Sequence, residues 1–335
     1  MTSIAAEFGA TNPDVYFGDE YLELHAQLDG GTPEKFRLKH DLGSVQYSYV
    51  RRPVTSDIVE DRSDIITPYG YGEPMILSCP DRSRLKELVS VFDEEFRTYC
   101  RNEGIVSELV RFSPLDSGVS TFGSLYDLSL NRQTVVVDLR GEDVLLREFD
   151  KKTRWRARKN LSLGIEVTLD RPKSLQEFVS LYESTMKRNR AADFYLFDQE
   201  YFEGLADRMG DKVLFAKAYF ENKLIAAAIF LLGPDRIHYH LSGSDYQYSD
   251  VSPTTSILHE VALWGIEHRY KLVHLGGGRS ASSEDSLFKF KRKFGSTLSG
   301  FYLGKRIHDL VAYSQLSKER NQETSDFFPA YRARI

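Results

Sequence analysis

Cysteine is scarce: Cys79 and Cys100 are the only two in 335 residues, too few for a disulfide framework. Their spacing fits neither a C-x-x-C redox pair nor a metal cluster, so both read as packing residues. Long apolar runs are also missing. The longest, "LIAAAIFLLG", falls well short of the roughly 20 residues that a membrane-crossing helix needs. The N-terminus lacks a basic segment followed by an apolar one, so no signal peptide is expected and the chain is read as cytoplasmic, with no transmembrane segment. Nor is there an excess of positive charge. The formal net charge of −5 argues against a constitutive nucleic-acid coat, although local basic clusters survive that argument. Finally, no G-x-G-x-x-G and no P-loop lysine accompany the glycines, which excludes the dinucleotide and Walker nucleotide motifs.

What remains is an ordinary globular composition, 41% apolar and 28% charged, in a chain long enough for two cores. The pattern is α/β of the α+β kind. The expected division is a polar leader over 1–18, a first domain over 19–142, a second over 143–316 and a charged tail over 317–335. In the first half "SVQYSYV", "IVSELVRF" and "QTVVVDL" read as strands, and "TPYGYGEP" is a loop carrying Tyr69 and Tyr71. Leu85, Leu88, Val89, Phe92, Phe96 and Tyr99 fall at helical spacing behind Asp81 as N-cap, with Gly104 as the stop. The second half predicts helices over 174–188 and 199–209. A three-strand meander follows ("VLFAKAYF", "LIAAAIFLL", "RIHYHLSG"), then a helix in "SPTTSILHEVALWGIEHRY", a strand "KLVHLGGG", a short helix or turn "SLFKFKRKFG" and a last strand "GFYLG". That order is the order of the GNAT acyltransferase fold, and order alone does not fix function.

Several stretches carry two readings each. In "SLFKFKRKFG", Leu287, Lys291 and Phe294 share one helical stripe with Phe290 beside them, so a lysine points inward. Either its stem covers apolar surface while the ammonium reaches water, or the ammonium serves a cleft, stabilising an oxyanion or gripping a phosphate. The glycines Gly276, Gly277 and Gly278 at the end of "KLVHLGGG" make either a sharp turn or a place where a ligand approaches backbone. Loop Arg279 to Asp285 reads as a flexible cover over it. His238, His240 and Ser242 alternate onto one strand face, but no third metal ligand is evident; His240 is the candidate acid or base. "KKTRWRARK" places Lys151, Lys152, Arg154, Arg156 and Arg158 around Trp155, either as a solvated helix face or as a grip for a phosphate-rich partner. "KRNRAADFYLF" brings Arg188, Arg190 and Tyr195 into a loop suited to substrate recognition.

Seven segments in order resemble the FemABX-like branch of the GNAT superfamily, the Fem-type aminoacyl-tRNA-dependent peptidyltransferases and their acetyltransferase-domain relatives. They are "TPYGYGEP", "ELVRFSPL", "RWRARKNLSLGIEV", "YESTMKRNRAADFYLFDQEYFEGL", "YHLSGSD", "SPTTSILHEVALWGIEHRYKLVHLGGG" and "SLFKFKRKFG". The resemblance implies tandem GNAT-like domains, each a mixed, mostly antiparallel sheet flanked by helices, the first degenerate, acting as a monomer. It implies transfer of an aminoacyl group from aminoacyl-tRNA to an amine, typically on a peptidoglycan precursor, with no other cofactor. By the same resemblance Phe290 and Lys291 lie at the acyl-transfer centre, Arg188 and Tyr195 bind acceptor phosphates, and the basic cluster with Lys293 meets the tRNA. Two features depart from relatives: the charged helical hairpin of some members is absent, and no Q/R-x-x-G-x-G/A turn precedes the helix after "HLSGSD". Without that turn a pyrophosphate loses its usual backbone seat, which disfavours the acyl-CoA-dependent N-acyltransferase alternative. A degenerate binding module is the third reading, and a lysine at 291 speaks against it.

Overall fold

A computed structural model describes residues 13–189 and 196–333. Within them the chain divides into two compact units, one from Tyr16–Asn131 and the segment from Phe301 onward, the other from Arg132–Gly300 and the short segment ending at Val15. Each is a mixed, mostly antiparallel sheet with helices packed on it, as the resemblance implies.

In the first unit, β1 (Thr32–His40) and β2 (Gly43–Val54) form a hairpin. β3 (Arg62–Ile66) and the short β4 (Met75–Ser78) pair with β2. β5 (Ile105–Phe112) runs parallel to β3. The polar β1 is an edge strand, paired through β2 alone, and so its sequence carries little apolar alternation and tolerates Pro33. Asp81 caps a 3-10 turn, accepting from Ser83 N at 3.0 Å, and the long helix proper runs Leu85–Asn102. Its inward face buries Leu88, Phe92, Phe96 and Cys100 against Tyr47 and Tyr49, and Gly104 ends it with φ +64°. Cys79 and Cys100 are both buried thiols.

In the second unit the sheet order is β6-β11-β10-β9-β8-β7, for β6 (Asp127–Asp138, from Arg132 on), β7 (Glu166–Asp170), β8 (Val213–Phe220), β9 (Lys223–Leu232), β10 (Arg236–Ser244) and β11 (Leu272–Gly277). β12 (Thr297–Ile307) begins in this unit, and its later residues pair antiparallel with β5 in the first. The turn between β8 and β9 puts Glu221 and Asn222 at φ 49° and 62°, the left-handed pair of a tight hairpin. β9, an interior strand between β10 and β8, is buried from Ile225 to Leu232. After β10 the helix Pro253–Glu267 carries the chain over the sheet to β11, giving the one parallel pair of this unit among the described residues. Ile257, Leu258, Val261 and Ala262 fasten that helix to the core, and a Cβ at Gly265 would lie 2.7 Å from the Leu139 side chain, so glycine lets it sit close. The helices Lys151–Ser162, Gln176–Arg188, Gln199–Met209 and the short Ser286–Lys291 complete the unit.

Candidate functional site

β10 and β11 are held side by side for three residue pairs only, from Arg236–Leu272 to His238–His274. Beyond that point β10 follows β9 and β11 follows β6, and each strand takes a bulge as it leaves: His240 is the extra residue in β10, and the β11 register slips between His274 and Gly276. A bulge bends its strand and raises its twist, so two bulges side by side open a wedge in an otherwise closed sheet. Gly276 sits in the wedge at φ +70°, a conformation that suits glycine.

Lys291 reaches into this wedge. The helix Ser286–Lys291 starts at Asp285, whose Oδ1 accepts from Leu287 N and Phe288 N at 2.9 and 3.0 Å. The other carboxylate oxygen of Asp285 accepts from Arg279 N and Ser280 N, both at 3.2 Å. The loop read as a flexible cover is therefore tied at its start and end by one side chain. Lys291 is only 7% exposed; its Nζ donates to the Gly277 carbonyl at 2.8 Å and lies 5.4 Å from the centre of the Tyr239 ring. Of the two readings, the snorkelling lysine is excluded, because the ammonium is inside. Burial draws its pKa down to about 7, the nearby Arg132 guanidinium adds to the drop, and Asp285 opposes it. Phe290 is half-buried and stands edge-on to Phe294 at 5.1 Å.

The histidines part company at the bulge. His238 is buried, with its Nε2 2.8 Å from Asp14 Oδ2 and its Nδ1 3.4 Å from His274 Nδ1. Burial would raise the Asp14 carboxyl, but His238 and Arg236 outweigh it and hold Asp14 at about 2. His240 Nε2 instead meets the Tyr201 hydroxyl at 2.7 Å. The expectation of one strand face shared by His238, His240 and Ser242 fails here, because the inserted residue breaks the period of two. Burial, with His238 as a lesser cause, draws His240 down to about 3. The imidazole is thus kept neutral through the physiological range and shares a hydrogen bond with the Tyr201 hydroxyl. Ser242 accepts from the Tyr239 hydroxyl at 2.5 Å. Among the described residues no group of three His, Cys, Asp or Glu side chains is placed to hold a metal ion.

Arg188 is the last residue of the helix Gln176–Arg188, not a loop residue; it is exposed and lies over the exposed Tyr246 ring at 5.4 Å. Arg190 and Tyr195 lie outside the described residues. Tyr69 and Tyr71 belong to the first unit, where the Tyr69 carbonyl accepts from Tyr21 and the buried Tyr71 ring stands edge-on to Tyr16 and Phe301. Thr153, Ala157 and Asn160 form the buried stripe of the helix Lys151–Ser162, which leaves Lys151, Lys152, Trp155, Arg158 and Lys159 exposed. Trp155 is 54% exposed, with the Arg156 guanidinium 5.5 Å and the Lys159 ammonium 5.0 Å from its ring centre. Arg154 departs from the cluster, since its guanidinium donates to the carbonyls of Leu146 and Phe149 and fastens the chain before its own helix. Lys293 is exposed beyond the end of the Lys291 helix.

Three residues at the wedge have no site role in their sequence pattern: Arg132, Tyr239 and Asp285, the last read only as the end of a loop. Asp285 was legible, since an aspartate before an apolar helical stripe is an N-cap pattern. Tyr239 and Arg132 come from β10 and β6, and strand pairing over more than 100 residues brings Arg132 there.

Residues 147–292 match the acetyltransferase (GNAT) domain family. Over 238 residues the sequence is 25% identical to the UDP-N-acetylmuramoylpentapeptide-lysine N(6)-alanyltransferase of Weissella viridescens, a stretch covering 68% of this chain and 66% of that protein, just under two thirds of the relative's length. The fold is similar to the crystal structure of FemX, with a TM-score of 0.71 at 14% identity over 93% of this chain and 97% of that one. It is also similar to L-PGS from Bacillus licheniformis, with a TM-score of 0.55 at 14% identity over 90% and 95% of the two chains.

Proposed function

We infer, from a chain similar to the FemABX-like GNAT acyltransferases in sequence and fold, that its reaction is the transfer of an aminoacyl group from aminoacyl-tRNA to an amine, the acceptor being a peptidoglycan precursor or a peptide-like metabolite. The observation that carries the reading is Lys291, a buried ammonium held on a carbonyl at the opening of the wedge. The acceptor amine attacks the ester carbonyl of the donor; a C–N bond forms, and the carbonyl electrons move to oxygen. Lys291 exchanges its neutral partner, the Gly277 carbonyl, for that oxyanion, a stronger acceptor in a dry site. Collapse then breaks the ester C–O bond, and the ribose oxygen leaves with the proton released by the amine. An ester is already activated, so orientation and charge stabilisation suffice without a covalent enzyme intermediate.

The exposed cations and Trp155 of the helix Lys151–Ser162 supply phosphate contacts and a stacking face for the donor RNA. The reaction places the protein in the cytoplasm, where charged tRNA is made available.

A second reading, acyl-CoA-dependent N-acylation, is favoured by the GNAT acetyltransferase family match. Against it, the segment before the helix Pro253–Glu267 is the 3-10 turn Tyr246–Val251, with Ser252 in the left-handed region and no glycine cradle. Calorimetry with a 3′-aminoacyl-adenosine mimic and with acetyl-CoA separates the two, followed by mass spectrometry of the product from charged tRNA and an amine. Binding of acetyl-CoA alone would overturn the RNA-dependent reading.

A further inference from the structure

The strip Gly276–Gly278 is held by two cations. Lys291 Nζ donates to the Gly277 carbonyl at 2.8 Å, and Arg132 Nη1 donates to the next carbonyl, Gly278, at 2.6 Å. The Arg132 stem also lies against the strip, since a Cβ at Gly277 would stand 2.8 Å from Arg132 Cδ and 3.0 Å from Cγ. Both cations are thus held by carbonyl oxygens, and among the described residues the buried Arg132 Nε has no hydrogen-bond partner. Two positive charges close together, each held by a neutral carbonyl, are unfavourable for folding and useful only where negative charge arrives. No part of the transfer chemistry above uses Arg132.

We propose that Arg132 is a positioning residue of the acyl-transfer site: it pins the glycine strip from the β6 side and keeps the surroundings of Lys291 positive, so that the ammonium is surrendered readily to an arriving oxyanion. The groups facing Lys291 are few. Tyr239 presents its ring from β10, the Gly277 carbonyl and the buried His274 lie on β11, Asp285 heads the helix of Lys291, and Arg132 faces it from β6. Asp285 is the carboxylate of this set, and its oxygens are already engaged by four backbone N–H groups. Arg132 and Asp285 therefore set opposite fields at Lys291, and the lowered Lys291 value agrees with Arg132 outweighing Asp285.

This inference rests on the acyl-transfer reading for its purpose, and its test does not depend on that reading. The test uses the full chain with 13Cε-labelled lysine, the Lys291 signal being assigned by its loss in Lys291→Met, and follows the titration of that signal by NMR. In Arg132→Gln the midpoint is expected to rise by about one pH unit, since a like charge that acts on Lys291 is gone. In Arg132→Lys it stays near the wild-type value, while the Gly278 carbonyl 13C shift moves because the guanidinium fork is lost. With donor and acceptor supplied, Arg132→Gln lowers kcat about tenfold with KM changed less than twofold, and the pH limb of the rate moves with the NMR midpoint. An unmoved midpoint in folded Arg132→Gln overturns the proposal. If that variant does not fold, an unchanged Gly278 carbonyl shift in Arg132→Lys overturns it. A shifted midpoint in a protein that transfers nothing upholds the clamp and overturns the acyl-transfer reading instead.

Discussion

A lysine placed among an aromatic face, a carbonyl and an arginine opposes folding whenever it is charged. The Lys291 value of about 7 lies below that of an unfolded lysine, so between pH 7 and about 10 the unfolded chain holds the extra proton. Stability contributed at this position therefore rises with pH across that window and is lost as pH falls through 7. Lys291→Met should fold and, at pH 7, melt higher by about 1–3 kcal/mol of stability, with the gain fading toward pH 10 in calorimetric scans. The same variant should lose two to three orders of magnitude in kcat, about the effect of removing one oxyanion donor. On the proposed chemistry the charged form stabilises the oxyanion, so wild-type kcat/KM should fall as pH rises above about 7; a limb that rises there would make Lys291 a base instead. The inward aim of Lys291 was legible from its place on the stripe of Leu287 and Phe294. Its partners were not, since Gly277, Tyr239 and Arg132 arrive through β11, β10 and β6, and helical spacing carries no trace of them.

The elements that a local pattern defines were the ones read well. The helix Gln199–Met209, the β8–β9–β10 meander and the helix after it follow their apolar spacing because each buries one face. The bulges were invisible, because nothing in "RIHYHLSG" marks His240 as the inserted residue; pairing with β9 decides it. The edge strand β1 and the short β7 were missed for the opposite reason, having too few buried positions to leave a signature. The wedge they leave unmarked is intolerant of side chains. A Cβ on Gly277 would lie 2.7 Å from the Gln133 carbonyl oxygen, and one on Gly295 would lie 2.4 Å from that of Val136. Backbone cannot step aside as a side chain does. Gly295→Ala should lower stability by about 1–3 kcal/mol in denaturant melts, while Gly277→Ala should also cut kcat at least tenfold by displacing the carbonyl that holds Lys291.

Over the whole molecule the net charge of −5 hides a local sign reversal, a helix in which Lys151, Lys152, Arg158 and Lys159 face water around Trp155. If that face meets RNA, replacing Lys151, Lys152 and Arg158 by glutamine should flatten the slope of log affinity against log salt by about 2, at roughly 0.7 per lost phosphate contact. Fluorescence titration with single-stranded RNA at several salt concentrations reads this, and an unchanged slope removes the helix from the RNA-binding surface. Among the described residues no helix is long and apolar enough to cross a membrane. The acceptor and the amino acid carried left no mark in the sequence, since they are chosen by pocket shape rather than by any local pattern. Asp14 carries a further consequence for anyone who would trim the chain. Its carboxylate lies inside the second unit against Arg236 and His238, more than 200 positions away along the chain. An expression fragment cut at Arg132 and Gly300 would omit it and take that carboxylate from both, leaving Arg236 with Asp235 at 3.4 Å, at a cost of about 3–5 kcal/mol. Such a fragment should be insoluble or melt early, and adding back a peptide that ends near Val15 should restore it. The second unit is thus assembled from two stretches of the chain, not one.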